Sequence, residues 1–424
     1  MGDNTMKKLI YGGMMLASLM ASTAGFAATD LTMWYHGAGN DVEKKIVNTI
    51  IDDFNKSQAD YAIKLEQFPQ AAYNDSVTAA AVAGKLPDIL DVDGPVMPGW
   101  AWAGYMAPLS VDPAAYAKFL PGPIGSYNGK VYSVGLWDAA VAMVARKSVL
   151  DANGIRIPTV DKPWTGEEFD AALVKLKATG KFEYPLDLGM AWKGEWYPYA
   201  FSPFLQSFGG DMIDRNGYTT ADGALNGPAA AKFGAWWQHL FTDKLAPGTS
   251  QSPADRDNGF AAGKYAISWN GNWAALGALK AHDDVVFLPA PDFGKGPKIG
   301  AASWQFGVSA SSKNQEGANK FIQFALQDKY LTAFSDGIGL IPPTPESAAA
   351  SINYKAGGPM EAFFALSKAQ AMVRPVYPGY AVAAKVFEKA LSDIANGSEV
   401  QASLDAAADE ITKDIEKNKG YAAK

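Results

Sequence analysis

The sequence predicts an α/β protein with parallel strands, and three observations carry that prediction. Short apolar runs alternate with helix-period segments through residues 31–93, the rhythm of crossover-connected strands. The stretch Gly259–Trp273 reads Gly-Phe-Ala-Ala-Gly-Lys-Tyr-Ala-Ile-Ser-Trp-Asn-Gly-Asn-Trp. It sets a strand before a polar, glycine-containing turn and a helix start, the kind of place where α/β folds hold ligands. The chain has 424 residues, enough for two domains of about 150 to 200 residues each.

Taken in order, the chain opens with two lysines, Lys7 and Lys8, an apolar run from Leu9 to Met20, and small residues at Gly25 and Ala27. This is the pattern of a cleavable signal peptide over 1–27, and the run is too short to span a membrane. Leu31–Tyr35 reads as a strand and His36–Gly39 as a loop. Asn40 with Glu43 marks a helix start, and Val42, Ile46, Ile50 and Phe54 recur at helical spacing. Tyr61–Gln67 alternates as a strand. Tyr73–Ala83 reads as a helix ended by Gly84, and Pro87–Asp93 as a buried strand with an acidic end.

The rhythm continues. Trp100–Tyr105 is a short helix and Tyr127–Ser133 a hairpin. Val141–Arg146 is a strand leading into a helix that Gly154 closes. Thr165 caps the next helix with Glu168 as its box partner. Tyr184–Met190 is a strand, and Tyr199–Phe208 a helix closed by Gly209. Pro228–Thr242 is a long helix with proline in its first turn. In the Gly259–Trp273 stretch, Gly263 suits the left-handed conformation and Tyr265–Trp269 is the strand. Asn270 and Gly271 break it, and Asn272 caps a helix from Trp273 to Leu279. Val285–Pro289 is a strand and Glu316–Leu326 a helix. Two C-terminal helices follow, one facing inward through Val382, Val386, Ala390 and Ile394, the other through Val400, Leu404, Ala408, Ile411 and Ile415.

Composition excludes several functions. The chain has no cysteine and a formal charge of −7. Disulfides, thiolate metal sites and a cysteine nucleophile are therefore ruled out, and no basic patch invites nucleic acid. With no cysteine after the leader there is no lipid attachment point, so the expected product is a soluble periplasmic protein of a Gram-negative cell. The three histidines, His36, His239 and His282, form no zinc-binding pair. No phosphate-binding loop, nucleophile elbow or dinucleotide fingerprint occurs. No resident cofactor or metal is expected.

What the chain does have is tryptophan beside glycine and short polar residues: Trp34–Gly37, Trp137-Asp138, Trp192-Lys-Gly-Glu-Trp196, Trp269–Trp273 and Ser303-Trp304. A sugar presents an apolar C–H face and a rim of hydroxyls. Indole and phenol rings cover the face, while carboxylates, amides and guanidinium groups bond the rim. Trp34 reads as core, Trp236 and Trp237 as helix packing, and Trp164 as a helix-start staple. Trp137 is divided between cleft and core. Trp192, Glu195 and Trp196, with Asn270 and Trp273, are read as cleft residues.

The pattern Phe260-x-x-Gly263-Lys-x-Ala266-x-x-x-x-Gly271-x-Trp273 resembles the signature segment of the family 1 extracellular solute-binding proteins, the sugar receptors of ABC importers. The resemblance runs in order through Pro87-Asp-Ile89, Asn128-Gly-Lys-Val-Tyr132, Gly209-Gly-Asp211, Ser311-Ser-Lys-Asn314 and Arg374-Pro375. It departs after Tyr132, where the family's Leu-Pro is replaced by Ser133-Val-Gly-Leu-Trp137, which bears on Trp137 and Asp138. The resemblance implies a type II two-lobed periplasmic binding fold with discontinuous lobes. Residues 28–138 plus 289–341 would form the N-terminal lobe and 139–288 plus 342–424 the C-terminal lobe. Crossings are placed near Leu136–Ala140, Leu288–Asp292 and Leu340–Pro345.

The ligand-binding set it implies is His36, Tyr73, Asp93, Trp137, Asp138, Trp192, Glu195, Trp196, Asn270, Trp273, Trp304 and Arg374. For several of these a structural role competes: a turn cap for His36, a helix cap for Asp93, core packing for Trp137 and a salt bridge for Arg374, while ligand contact for Asp138 is left open. The implied function is capture of a carbohydrate, an oligosaccharide or glycoside, by hinge closure and delivery to membrane permease subunits, by a monomer with no enzymatic activity of its own. Two rivals stand beside it. One is a glycoside hydrolase using Glu195 with Asp93 or Asp138, which needs carboxylates roughly 5 to 9.5 Å apart. The other is a receptor for a non-sugar solute such as a polyamine or metal.

Overall fold

The computed structural model describes residues 28–37 and 40–422. The expected signal peptide and the end of the His36–Gly39 loop lie outside them. Thirteen strands are described: β1 Thr29–Tyr35, β2 Tyr61–Gln67, β3 Ile89–Asp93, β4 Met106–Ala107, β5 Ile124–Tyr127, β6 Lys130–Val134, β7 Val141–Arg146, β8 Tyr184–Asp187, β9 Tyr265–Gly271, β10 Val285–Leu288, β11 Ile299–Gly300, β12 Trp304–Ser309 and β13 Ala371–Met372. One sheet runs β2-β1-β3-β12-β6-β5, with β4 paired to β12. A second runs β10-β7-β9-β8, and β11 pairs with β13.

The expected parallel pairing holds for β1 with β2 and β3, and for β8 with β9. The sheets are otherwise mixed. β12 lies antiparallel between β3 and β6, and β7 antiparallel between β10 and β9. β12 is buried from Gln305 to Ser309 but was not expected, because Gln305, Gly307 and Ser309 interrupt the β-branched and aromatic run that marks a strand.

Local chemistry explains most boundaries. Asn40 caps the helix Asp41–Ser57 by accepting from the Glu43 N–H. That helix buries Val47, Ile50, Ile51 and Phe54. Val42, expected on the inner face, is 47% exposed; a strict four-residue repeat drifts round a 3.6-residue helix. The helix Gln70–Val82 starts behind Pro69, three residues earlier than expected, and Gly84 follows with φ +65°. The Thr165–Glu168 capping box is present. β8 stops at Asp187, whose carboxylate accepts from the Gly189 N–H and turns the chain. β9 runs on through Gly271, and Asn272 begins a short 3₁₀ turn instead of capping a helix.

Buried apolar residues form two large groups and a satellite. The largest runs from Ala140 to Ala290, adds Ile299, and resumes from Ile341 to Ile415. The second takes Leu31 to Ala139 and then Phe306 to Leu340, with a satellite around Tyr73, Leu90 and Met106. Membership thus changes at Ala139/Ala140, between Ile299 and Phe306, and at Leu340/Ile341. The three passages lie together: Asp138 bridges Ile341, and Ala140 bridges Ala301.

Candidate functional site

The first bank of candidate residues sits at one end of the larger sheet. His36 follows β1, Asp93 ends β3, and Trp304 opens β12 directly opposite Asp93. Sheet register alone therefore gathers three residues far apart in sequence. Asp91 and Asp93 share a face of β3, because side chains repeat every second residue. The Asp91 carboxylate pairs with His36 Nδ1 and also accepts from the His36 backbone N–H at 3.3 Å. On the other side, His36 Nε2 lies 3.8 Å from Glu43, which accepts from the Tyr35 hydroxyl at 2.5 Å.

Burial alone would lower the His36 pKa, but the Asp91 carboxylate reverses this and holds it above its usual value. The imidazole then stacks on Trp304, with ring centroids 3.8 Å apart and planes 7° from parallel. Tyr73 meets the same indole edge-on at 5.4 Å. Its hydroxyl donates to the Trp34 carbonyl at 3.2 Å and accepts from the Asp91 N–H at 3.0 Å. His36 and Tyr73 are buried and act behind Trp304, which keeps partial exposure.

The second bank is aromatic. Trp192 lies in the loop after β8, and Trp196 and Tyr199 lie on the first turn of the helix Trp196–Phe208. Trp273 follows β9. Trp192 meets Trp196 edge-on at 4.4 Å, and Trp273 lies 6.0 to 6.2 Å from Trp192, Trp196 and Tyr199. The Trp196 indole N–H donates to the Leu188 carbonyl at 3.0 Å, fixing its ring. Trp273 is 37% exposed. Gly271 lies under it, where an added methyl group would come within 2.3 Å of the ring. Asn270 is half-buried and accepts from the Gly271 N–H at 2.8 Å.

Arg374 joins the banks. It is 7% exposed. One guanidinium nitrogen donates to Glu195 at 2.7 Å, and another lies 3.8 Å from Asp93. The group sits 5.0 Å from the Tyr199 ring centre. Tyr380 also donates to Glu195, at 2.6 Å. Burial pushes the Asp93 carboxyl up to about 7 despite the Arg374 charge nearby. Three polar atoms here are buried without a protein partner: Arg374 Nε, the Tyr199 hydroxyl oxygen and Asn74 Oδ1.

Two expected residues stand at the edge of this constellation: Trp137 in a core, and Asp138 near Tyr199, whose phenol pKa its charge helps to raise. Trp137 is buried in the smaller core, 6.4 Å from Phe334, and serves packing. Asp138 is 1% exposed, and its backbone pairs with Ile341 at 2.8 and 2.9 Å. Its carboxylate accepts from the Ala139 and Ala302 N–H groups, and burial pushes its pKa up to about 7. It belongs to the passages between the cores. Tyr199, Asp91 and Asn272 also stand here and are not among the expected site residues. Tyr199 stands three residues after Trp196 on one helix face, and Asp91 two residues before Asp93 on one strand face, so periodicity held a signal for both. Asn272 gave none: its side chain accepts from Ala140 N–H at 2.9 Å and donates to the Gly339 carbonyl at 2.8 Å.

Among the described residues no helix is long and apolar enough to cross a membrane, and no group of three metal-binding side chains occurs. The GacH receptor of Streptomyces glaucescens, solved unliganded and with acarbose, matches 92% of this chain and 98% of its own at a TM-score of 0.74 and 21% identity. A cyclic α-maltosyl-1,6-maltose binding protein of Arthrobacter globiformis covers 92% and 100% at a TM-score of 0.75 and 21% identity. These likenesses establish the two-lobed α/β periplasmic binding fold.

Among curated relatives, an uncharacterised lipoprotein of Streptomyces antibioticus is 23% identical over 69% of this chain and 66% of its own length. A relative in Brucella abortus is 28% identical over 63% of each. The match thus spans just under two thirds of these relatives. The diacetylchitobiose binding protein DasA of Streptomyces coelicolor is 24% identical over 76% of this chain and 75% of its own. A bacterial extracellular solute-binding protein family model matches residues 49–362, a span that takes in β3, β7, β9 and β12 and so both sheets; the chain belongs to that family.

Proposed function

We propose that this protein is a carbohydrate receptor of an ABC importer. The observation that carries the reading is Arg374 standing between Asp93 and Glu195, over Tyr199 and between two aromatic banks. Trp304 on one side and Trp273 on the other are partly exposed rings suited to sugar faces. The carboxylates, the guanidinium and the unpartnered Tyr199 hydroxyl are suited to the hydroxyl rim. The nature of relatives that bind acarbose, cyclic maltosyl-maltose and diacetylchitobiose supports an oligosaccharide or glycoside ligand.

In this reading the lobes follow the two cores. The first holds 28–139 and 304–340, and the second holds 140–303 and 341–422. Ligand-contacting residues are Asp93, Trp192, Glu195, Trp196, Asn270, Trp273, Trp304 and Arg374, with His36 and Tyr73 behind Trp304. Asp93 and Trp304 belong to the first lobe, and Glu195, Trp273 and Arg374 to the second, so both reach the sugar only when the cleft is closed. The closed monomer then presents both lobes to permease subunits from the periplasm, and the energy of transport comes from those partners.

The proximity of Asp93 and Glu195, two carboxylates sharing one arginine, keeps a glycoside hydrolase as the competing reading. Thermal-shift screening against oligosaccharides, sugar alcohols and polyamines, with product analysis on each hit, separates the readings. A sugar that raises the melting temperature and returns intact is the expected result. Hydrolysed sugar would establish the enzyme, and a shift with polyamines alone would exclude carbohydrate.

A further inference from the structure

We propose that the cavity where the β5–β6 hairpin meets the loop after Arg374 is a further subsite for one neutral sugar ring. The proposal rests on the carbohydrate-receptor reading above. The cavity measures about 270 Å³, close to the roughly 300 Å³ at which small-molecule sites begin. That is room for one ring, not for a chain. Its walls come from both sides of the molecule. Tyr127 and Asn128 form the hairpin tip, and Tyr218, Val376, Tyr377 and Tyr421 face them.

The lining chemistry selects the ligand class. Every lining residue is serine, asparagine, glycine, tyrosine, valine or proline, so none of the lining side chains is charged; the nearest carboxylate, Asp414, is taken up by the Tyr421 hydroxyl behind the wall. Tyrosine rings with hydroxyl and amide groups instead match a ring that has an apolar face and a polar edge. Two of the phenols are held in place. Tyr218 and Tyr377 stack with centroids 5.5 Å apart and planes 8° from parallel. The Val376 N–H donates to the Tyr218 hydroxyl at 3.4 Å.

Position connects the cavity to the first site. Val376 lies two residues beyond Arg374, and two residues of extended chain span at most about 7 Å. One short loop therefore carries both the guanidinium and a wall of the cavity. A ligand anchored at Arg374 and extending along residues 374–376 places its next ring against Tyr218 and the hairpin tip. Length discrimination then resides in this cavity and not in the tryptophan banks.

Calorimetric titration tests this with wild type, Tyr218→Ala and Tyr218→Phe against two homologous series. One is maltose, maltotriose and maltotetraose; the other is the diacetylchitobiose series of the same lengths. In the series that binds, wild type should gain about ten-fold in affinity beyond the disaccharide, the worth of one aromatic–ring contact. Tyr218→Ala should lose that gain and keep the disaccharide Kd, while Tyr218→Phe, which keeps the ring, should retain it. A wild type without the gain, a gain that survives Tyr218→Ala, or an equal loss at all lengths would each overturn the subsite alone. Binding of neither series, together with no sugar hit in the thermal-shift screen, would overturn the carbohydrate reading, and the subsite with it.

Discussion

Asp138 is a carboxylate buried where the chain passes between its two cores, and its chemistry is measurable. Its folded pKa of about 7 lies above the ordinary 3.8. Between about pH 4 and pH 7 the folded chain keeps a proton that the unfolded chain has released. Stability therefore falls as pH rises through that window, by up to roughly 4 kcal/mol. Asp138→Asn should reduce the slope of urea-melt stability between pH 4.5 and 7.5 and leave the shares due to Asp91 and Asp93, which burial raises in the same direction. An unchanged slope would remove burial of Asp138 as its cause. Trp304 makes the matching prediction for binding. Replacing its indole by alanine removes the platform that His36 and Tyr73 brace, and should weaken sugar affinity about ten-fold or more by titration. An unaltered Kd would place the sugar elsewhere.

At the scale of elements, the capping box at Thr165 and Glu168 was legible because its spacing is local. The Thr165 side chain accepts from the Glu168 N–H at 3.1 Å, and Glu168 accepts from the Thr165 N–H at 3.0 Å. Thr165→Ala should cost about 1 kcal/mol of unfolding free energy, read from denaturant midpoints. Strands β2, β7 and β9 were legible for the same reason, since β-branched and aromatic runs mark them. β12 was not, although it joins β3 to β6, because Gln305, Gly307 and Ser309 break up its apolar residues. The site followed the same division. Trp192, Glu195, Trp196, Asn270 and Trp273 sit in loops and strand ends whose local wording singles them out. The burial of Trp137 and Asp138 comes from contacts with Phe334, Ile341 and Ala302, distant in sequence and invisible in it.

Over the whole molecule, Asn272 ties the passages together by bonding both Ala140 and Gly339. The Tyr354 hydroxyl donates to the same Gly339 carbonyl at 2.6 Å. Asn272→Ala leaves the buried Ala140 N–H without that partner, which costs about 1 to 3 kcal/mol. The expected outcome is a lower melting temperature together with a weaker response of small-angle scattering dimensions to sugar, since closure must be transmitted through this junction. A loss of melting temperature with unaltered closure would reduce Asn272 to a packing role.

The threefold passage of the chain also governs how such a gene can be recombined. The larger sheet needs β1–β6 and β12, while the larger core needs residues before and after that last strand. A single crossover with a relative anywhere between codons 140 and 340 therefore splits a packed unit between two parents. Chimaeras that exchange a whole half must swap at least two separate blocks at once. Single-block libraries would sample mostly mismatched interiors, whereas paired exchanges ending at Ala139, near Ser303 and at Leu340 would keep each interior from one parent.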